Sequence, residues 1–217
     1  MTRKLESIAN VCIVLILLFL LFNPSGMLGG WIGERLQERK ERRAVARNWE
    51  HLIDSASTLS NTREGSDGKP IVVEFLDCQC PACRTVAASV SEAVREGTVI
   101  VVVRHLPLER IHPVARTGAK AAICGEAQGR FLETHEALLG NGGWLERGDW
   151  VELGRVVSVG DPLGFAKCLE SVEAETRVDR DIELAARLGI TATPSFVTLN
   201  GIYEGESGFR RALAEVE

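Results

Sequence analysis

The sequence has no excess of positive charge. Its 25 Lys and Arg residues against 30 Asp and Glu leave a net charge of -5, and nothing in that balance suggests a nucleic-acid partner. Six cysteines in 217 residues are too few for a disulfide scaffold, though enough for one reactive pair and one staple. No internal repeat and no low-complexity tract occurs, so neither a repeat architecture nor a compositionally disordered segment is in question. One Cys-x-x-Cys is present, at Cys80 and Cys83. There is no second such pair and no His-x₃₋₅-His, so a four-ligand zinc site lacks its second half. What remains is a chain long enough for one domain with a sizeable core, plus additional segments.

The stretch from Val72 to Arg84 organises the rest. It begins as an apolar run (Val72, Val73, Phe75, Leu76), reaches a turn and ends at Cys80-Pro81-Ala82-Cys83. Val86, Val90 and Val94 follow at intervals of four. That order predicts a strand running into a helix, with Cys80 just before the first turn and Pro81 near the first helical position. The first N–H groups of a helix have no intrahelical partner and carry partial positive charge, which stabilises a thiolate and lowers its pKa. Cys83 lies one turn deeper, within disulfide reach. The pair reads as a redox dithiol in which Cys80 attacks and Cys83 resolves. Two alternatives stay open on the residues alone: a metal site recruiting Cys78 as a third sulfur, and an inert structural pair.

The chain opens Met1-Thr2-Arg3-Lys4 and then runs apolar from Leu5 to Phe22. Eighteen helical residues reach about 27 Å, close to a bilayer core. The continuation Asn23-Pro24-Ser25-Gly26 is a poor signal-peptidase site, so residues 5–22 read as an uncleaved transmembrane anchor. Trp31 suits the interface, and Cys12 is a small hydrophobe within the span. Arg3 and Lys4 place the N-terminus in the cytoplasm; Arg35, Arg39, Lys40, Arg42 and Arg43 count against exporting the other side. Gly33 to Ile53 predicts a charged helix with a stripe of Val45, Trp49, Leu52 and Ile53, and the residues up to 69 read as a linker, making 33–69 a juxtamembrane helix and linker. Further on, Gly97 stops a helix. Val99 to Val103 is a β-branched run of the kind found in central strands. A long helical stretch follows, with Asp149, Asp161 and Ser171 as N-caps and Gly189 as a stop. Asn200-Gly201 between two β-like runs signals a hairpin, and Phe209, Leu213 and Val216 a closing helix.

Three motifs then align. Glu74-Phe75-x-Asp77-x-x-Cys80-Pro81-x-Cys83, Arg104-His105-x-Pro107-Leu108 and Gly189-Ile190-x-x-Thr193-Pro194-x-Phe196 together resemble the DsbA-like, BdbD-like branch of the thioredoxin fold. The resemblance covers residues 70–217. It implies an α/β thioredoxin fold with an inserted helical domain over about 111–188, preceded here by one transmembrane helix. It further implies a cis peptide before Pro194, with Thr193 and Pro194 docking an extended substrate. Glu74 would be a buried acid that moves a proton, and Cys124 and Cys168 a structural disulfide in the insertion. Cys78 departs from the family pattern, which has a large apolar residue there; a buried inert thiol is the expected outcome. His105, His112 and His135 have no spacing that argues for ligation and read as structural.

The family implies an extracytoplasmic oxidoreductase that takes electrons from the cysteines of exported proteins, needs no bound cofactor or metal, and is reoxidised by a quinone-linked membrane partner of the DsbB or vitamin-K-epoxide-reductase type. Export of the C-terminal domain follows from that redox role. The rival expectations are a reductase or isomerase for a dedicated client, and a thioredoxin-fold chaperone or metal-handling module using Cys78, Cys80 and Cys83.

Overall fold

The computed structural model describes residues 11–20, 27–54, 57–59, 68–140 and 143–216. The chain divides into two compact units, Met1–Arg43 and Ala44–Glu217. In the first, residues 11–20 are helical with exposed side chains. The remainder of the expected span, residues 5–10 and 21–22, lies outside the described residues. Among those described, no helix is long and apolar enough to cross a membrane. Helix α1 is Met27–Ile53; its residues from Ala44 onward belong to the second unit, so that unit begins earlier than the boundary near residues 54–69 that composition suggests. The reason is the stripe: Val45 and Leu52 are fully buried, and Trp49 packs beside them.

The second unit is built on a five-stranded sheet of order β1-β3-β2-β4-β5. The strands are β1 (Ser57–Thr58), β2 (Ile71–Leu76), β3 (Ile100–His105), β4 (Ser195–Thr198) and β5 (Gly201–Glu204). Strands β2 and β3 pair in parallel, from Ile71↔Ile100 to Leu76↔His105; every other pairing is antiparallel. A parallel pair needs a crossover, and α2 (Pro81–Glu96) supplies it. Gly97 ends that helix at φ 70, a left-handed position that glycine occupies without penalty, and its N–H bonds to the Ala93 and Val94 carbonyls.

Between β3 and β4 lie α3 (Ala115–Ala127), α4 (Phe131–Gly140), α5 (Gly143–Arg147), α6 (Trp150–Val156), α7 (Pro162–Cys168) and α8 (Val172–Leu188). The N-caps of the last three are Asp149, Asp161 and Ser171, whose side chains accept from the backbone N–H of Glu152, Gly164 and Ala174. Helix α9 (Gly208–Ala214) closes the fold. The hairpin pairs Thr198 with Gly201, so its two-residue turn is Leu199-Asn200 and Gly201 starts the returning strand.

All six residues of β3 are buried, which is why this run is apolar on both faces. On one face Val72, Leu76, Val101 and Val103 join α2 and the inserted helices in a single core. On the other, Val73, Phe75, Ile100 and Val102 pack with Val45 and Leu52 of α1 and Leu184 and Leu188 of α8. Each fully buried aliphatic side chain of this kind contributes about 1.5–3 kcal/mol. Arg104 crosses this second layer. Its guanidinium pairs with Asp181 at 2.9 Å and donates to the carbonyls of Leu52 (3.0 Å), His51 (2.5 Å) and Asp54 (2.6 Å), capping the end of α1. The Arg-His motif is therefore an anchor for α1, with Asp181 also accepting from the His105 N–H at 2.8 Å.

Candidate active site

Strand β2 delivers the chain to the site. After Leu76 it turns through Asp77 to Gln79 and enters α2 at Cys80, which is the N-cap residue in extended geometry (φ -66, ψ 121), with Pro81 at the first helical position. Pro81 has no N–H to leave unsatisfied there, and its fixed φ suits a helix start. Cys80 and Cys83 are free thiols, 7% and 0% exposed. Only the first has a path to solvent. Cys80 Sγ is 3.3 Å from the carbonyl oxygen of Thr193, and the Thr193–Pro194 peptide is cis. The structure thus brings together the dithiol and the Thr-Pro pair that lie 113 residues apart.

The two sulfurs have opposed acidities. Cys80 is lowered to about 5, chiefly by the hydrogen bond from Cys83, with further help from the Thr193 hydroxyl and the backbone N–H groups of Cys83 and Ala82; burial opposes these. Among the described residues the Thr193 Oγ1 is buried and has no partner at ordinary hydrogen-bond distance, so its part is smaller than that of Cys83. Cys83 is pushed far up, first because it donates to Cys80 and second by its own burial. Pairs of groups driven apart in this way mark a division of labour between attacking and buried partner.

Glu74 sits in the middle of β2, paired with Val103 and Phe196. Alternation along the strand puts it on the same face as Val72 and Leu76, the face that also buries Cys83. It is 1% exposed, and among the described residues neither carboxylate oxygen has a hydrogen-bond partner. Burial raises its pKa to about 8, so it holds its proton at neutral pH.

Cys78 is 3% exposed and pushed up to about 12, mainly by burial and next by the Asp77 charge. It packs where α3 comes closest: a Cβ on Gly118 would lie 3.1 Å from the Cys78 Cβ and 2.8 Å from Leu145 Cδ2. Cys78 is thus a filler between the dithiol loop and the helical insertion. Among the described residues no group of three or more His, Cys, Asp or Glu side chains is placed to hold a metal ion. Cys124 and Cys168 form a disulfide that ties α3 to α7, far in sequence from the dithiol. His105 and His135 are fully buried and lowered to about 3 and 4 by burial; both stay neutral at ordinary pH.

Asp77 stands in the first sequence motif without a role of its own there, and Gln79 and His112 carried little signal. Asp77 is buried and accepts from Gln79 N, Leu108 N and His112 Nδ1. Gln79 Oε1 accepts from Val114 N at 2.7 Å. The one available sign was a carboxylate three residues before an N-cap, a position suited to binding turn N–H groups.

Residues 65–214 match the family model described as Thioredoxin. The chain is 31% identical over 170 residues, 76% of its length, to a Na(+)/H(+) antiporter NhaA 1 of Salinispora arenicola; it spans about a quarter (26%) of the length of that relative. Among solved structures it resembles the thiol-disulfide exchange protein alpha-DsbA2 of Wolbachia pipientis, with a TM-score of 0.69, 15% identity, and coverage of 84% of this chain and 98% of that one. It also resembles a thioredoxin-like oxidoreductase of Silicibacter pomeroyi, with a TM-score of 0.62, 28% identity, and coverage of 76% and 95%. The chain belongs to the thioredoxin family. Its inserted helices give it the DsbA-like form of that fold.

Proposed function

We propose that this protein is a membrane-anchored, extracytoplasmic oxidase of protein thiols, held by residues 5–22 through the juxtamembrane helix and linker of residues 33–69, with its DsbA-like domain over residues 70–217. The observation that carries the reading is the placement of Cys80 Sγ at the N-terminus of α2, 3.3 Å from the Thr193 carbonyl. In the oxidised protein a client thiolate attacks the Cys80 sulfur. The Cys80–Cys83 bond breaks, and Cys83 leaves with the electron pair. Its high proton affinity is met by Glu74, which holds a proton at neutral pH and stands on the same face. The second client thiolate then attacks the client sulfur of the mixed disulfide, and Cys80 departs as the stabilised thiolate. The client has gained a disulfide and lost two electrons; the protein has gained two electrons as a dithiol. Thr193 and Pro194 dock the client as an extended strand beside Cys80. The clients are cysteine-containing exported proteins.

No bound cofactor enters these steps. Each turnover leaves the protein reduced, so a membrane oxidant must take the two electrons, and a quinone-linked enzyme of the DsbB or vitamin-K-epoxide-reductase type fits that chemistry. The match to part of an antiporter chain supports a working place at a membrane. The test is to mix the oxidised full-length protein with a dithiol peptide. One peptide disulfide should form per protein dithiol released, and none with Cys80→Ser. Failure of the wild type to oxidise the peptide would overturn the reading.

A further inference from the structure

Asp77 is 2% exposed, and its side chain is wholly buried. Each of its polar atoms has a partner in a different piece of the site. Oδ1 accepts from Gln79 N at 2.7 Å. Oδ2 accepts from Leu108 N at 2.8 Å and meets His112 Nδ1 at 2.8 Å. The main-chain oxygen accepts from Cys80 N at 3.0 Å, and the backbone N–H faces the Cys83 sulfur and lowers that thiol's pKa. Gln79 adds a second tie, accepting from Val114 N. One carboxylate is therefore bonded at one oxygen to the dithiol loop and at the other to a segment 31 to 35 residues further on. A buried carboxylate serving three donors is a costly group to retain unless all three bonds are kept, because each lost acceptor strands a buried N–H.

We propose that Asp77 is a positioning residue for the dithiol: with His112 and Gln79 it clamps the segment from Leu108 to Val114 onto the dithiol loop, and so holds the Cys83 thiol where it donates to the Cys80 sulfur. Asp77 does not touch a client; it acts through the two cysteines. The proposal rests on the dithiol reading. Its two physical effects have opposite signs. As a bare negative charge near the sulfurs, Asp77 would disfavour the Cys80 thiolate, and its removal would lower the Cys80 pKa. As a clamp, its removal loosens the Cys83-to-Cys80 bond, which is the largest stabiliser of that thiolate, and raises it.

The test uses the reduced full-length protein with Asp77→Ala, Asp77→Asn and His112→Gln, following thiolate absorbance against pH and backbone hydrogen exchange. In Asp77→Ala the Gln79 and Leu108 amides should exchange about tenfold faster or more, because their acceptor is gone, and the Cys80 pKa should rise by about half a unit or more. In Asp77→Asn a single carbonyl oxygen keeps one arm only, so one of the two amides should stay protected. His112→Gln leaves the backbone arms intact and should shift the Cys80 pKa upward by less; it decides the matter if the alanine variant does not fold. A Cys80 pKa that falls or stays fixed in every folded variant overturns the clamp. A wild-type Cys80 that titrates as an ordinary thiol sinks the dithiol reading instead, a different failure seen before any variant is compared.

Discussion

The sulfur of Cys80 lies 3.3 Å from the carbonyl oxygen of Thr193, although the two residues are 113 positions apart. The contact is made by sheet topology. Strand β4, which follows Pro194, pairs antiparallel with β2, with Ser195 opposite Phe75 and Phe196 opposite Glu74. The end of β2 that leads to the dithiol and the start of β4 are thus the same end of the sheet.

If Cys80 attacks and Cys83 only resolves, removing one should trap what removing the other prevents. Cys83→Ser should accumulate a mixed disulfide between Cys80 and client, visible on non-reducing gels and lost on reduction. Cys80→Ser should show no adduct and no turnover. Adducts mapped by mass spectrometry to Cys78 would reassign the nucleophile, against its burial and its pKa of about 12.

Glu74 makes a prediction about stability. Its folded pKa of about 8 lies above the ordinary carboxyl value of 4.5, so between those values the folded protein holds a proton that the unfolded chain has released. Stability from this group is therefore full below about pH 4.5 and is lost as pH rises toward 8. Glu74→Gln removes the loss. In denaturant titrations the variant should gain on the wild type as pH rises, by roughly 3 kcal/mol between pH 4 and pH 7 at one pKa unit per 1.36 kcal/mol. It should also slow release of Cys83 at neutral pH. A stability difference independent of pH would mean that the carboxylate is solvated.

The Cys124–Cys168 bond closes a loop with a sequence separation of 44. Replacing both by alanine should cost about 2–4 kcal/mol in chemical unfolding, while the Cys80 pKa and client oxidation per folded molecule stay unchanged. Loss of dithiol chemistry at full stability would show that this pair exchanges with the site.

Topology can be read with reporters. A fusion after Asn61 should give active alkaline phosphatase, because the DsbA-like domain is expected outside the cytoplasm. Activity of a cytoplasmic reporter at the same position, with the phosphatase inactive, would overturn the orientation and leave the positive charges from Arg35 to Arg43 as the deciding signal.

Much of the core architecture was legible because local chemistry and tertiary role agree there. The apolar run before Cys80, the Pro at the helix start, Gly97 and Gly189 as stops, and the caps at Asp149, Asp161 and Ser171 each act over a few residues. Strand β1 was not legible. Two residues, Ser57 and Thr58, pair with Val103 and Val102, and no local propensity marks them. The start of the compact unit at Ala44 was legible in part. The stripe of Val45, Trp49 and Leu52 marks the face that docks, while the Arg104 bonds to the last turn of α1 are an anchor that the sequence does not show. At the site, the dithiol and Thr193–Pro194 stood out as motifs. The clamp through Asp77, Gln79 and His112 did not, because its partners are backbone N–H groups contributed by Leu108 and Val114, which any residue type supplies.

The direction of electron flow is the central claim, and the equilibrium of the full-length protein with glutathione tests it most directly. A Cys80 thiolate stabilised to about pKa 5 favours the reduced protein and makes the disulfide an oxidant. Arg84 does not add to this by folding over the sulfur, since its Nε is committed to the Cys78 carbonyl at 3.1 Å, so the most oxidising end of the family range is not expected. The account predicts a potential above about -200 mV but short of the about -120 mV of the strongest oxidants. A value near that of thioredoxin, about -270 mV, would contradict it and make the protein a reductase.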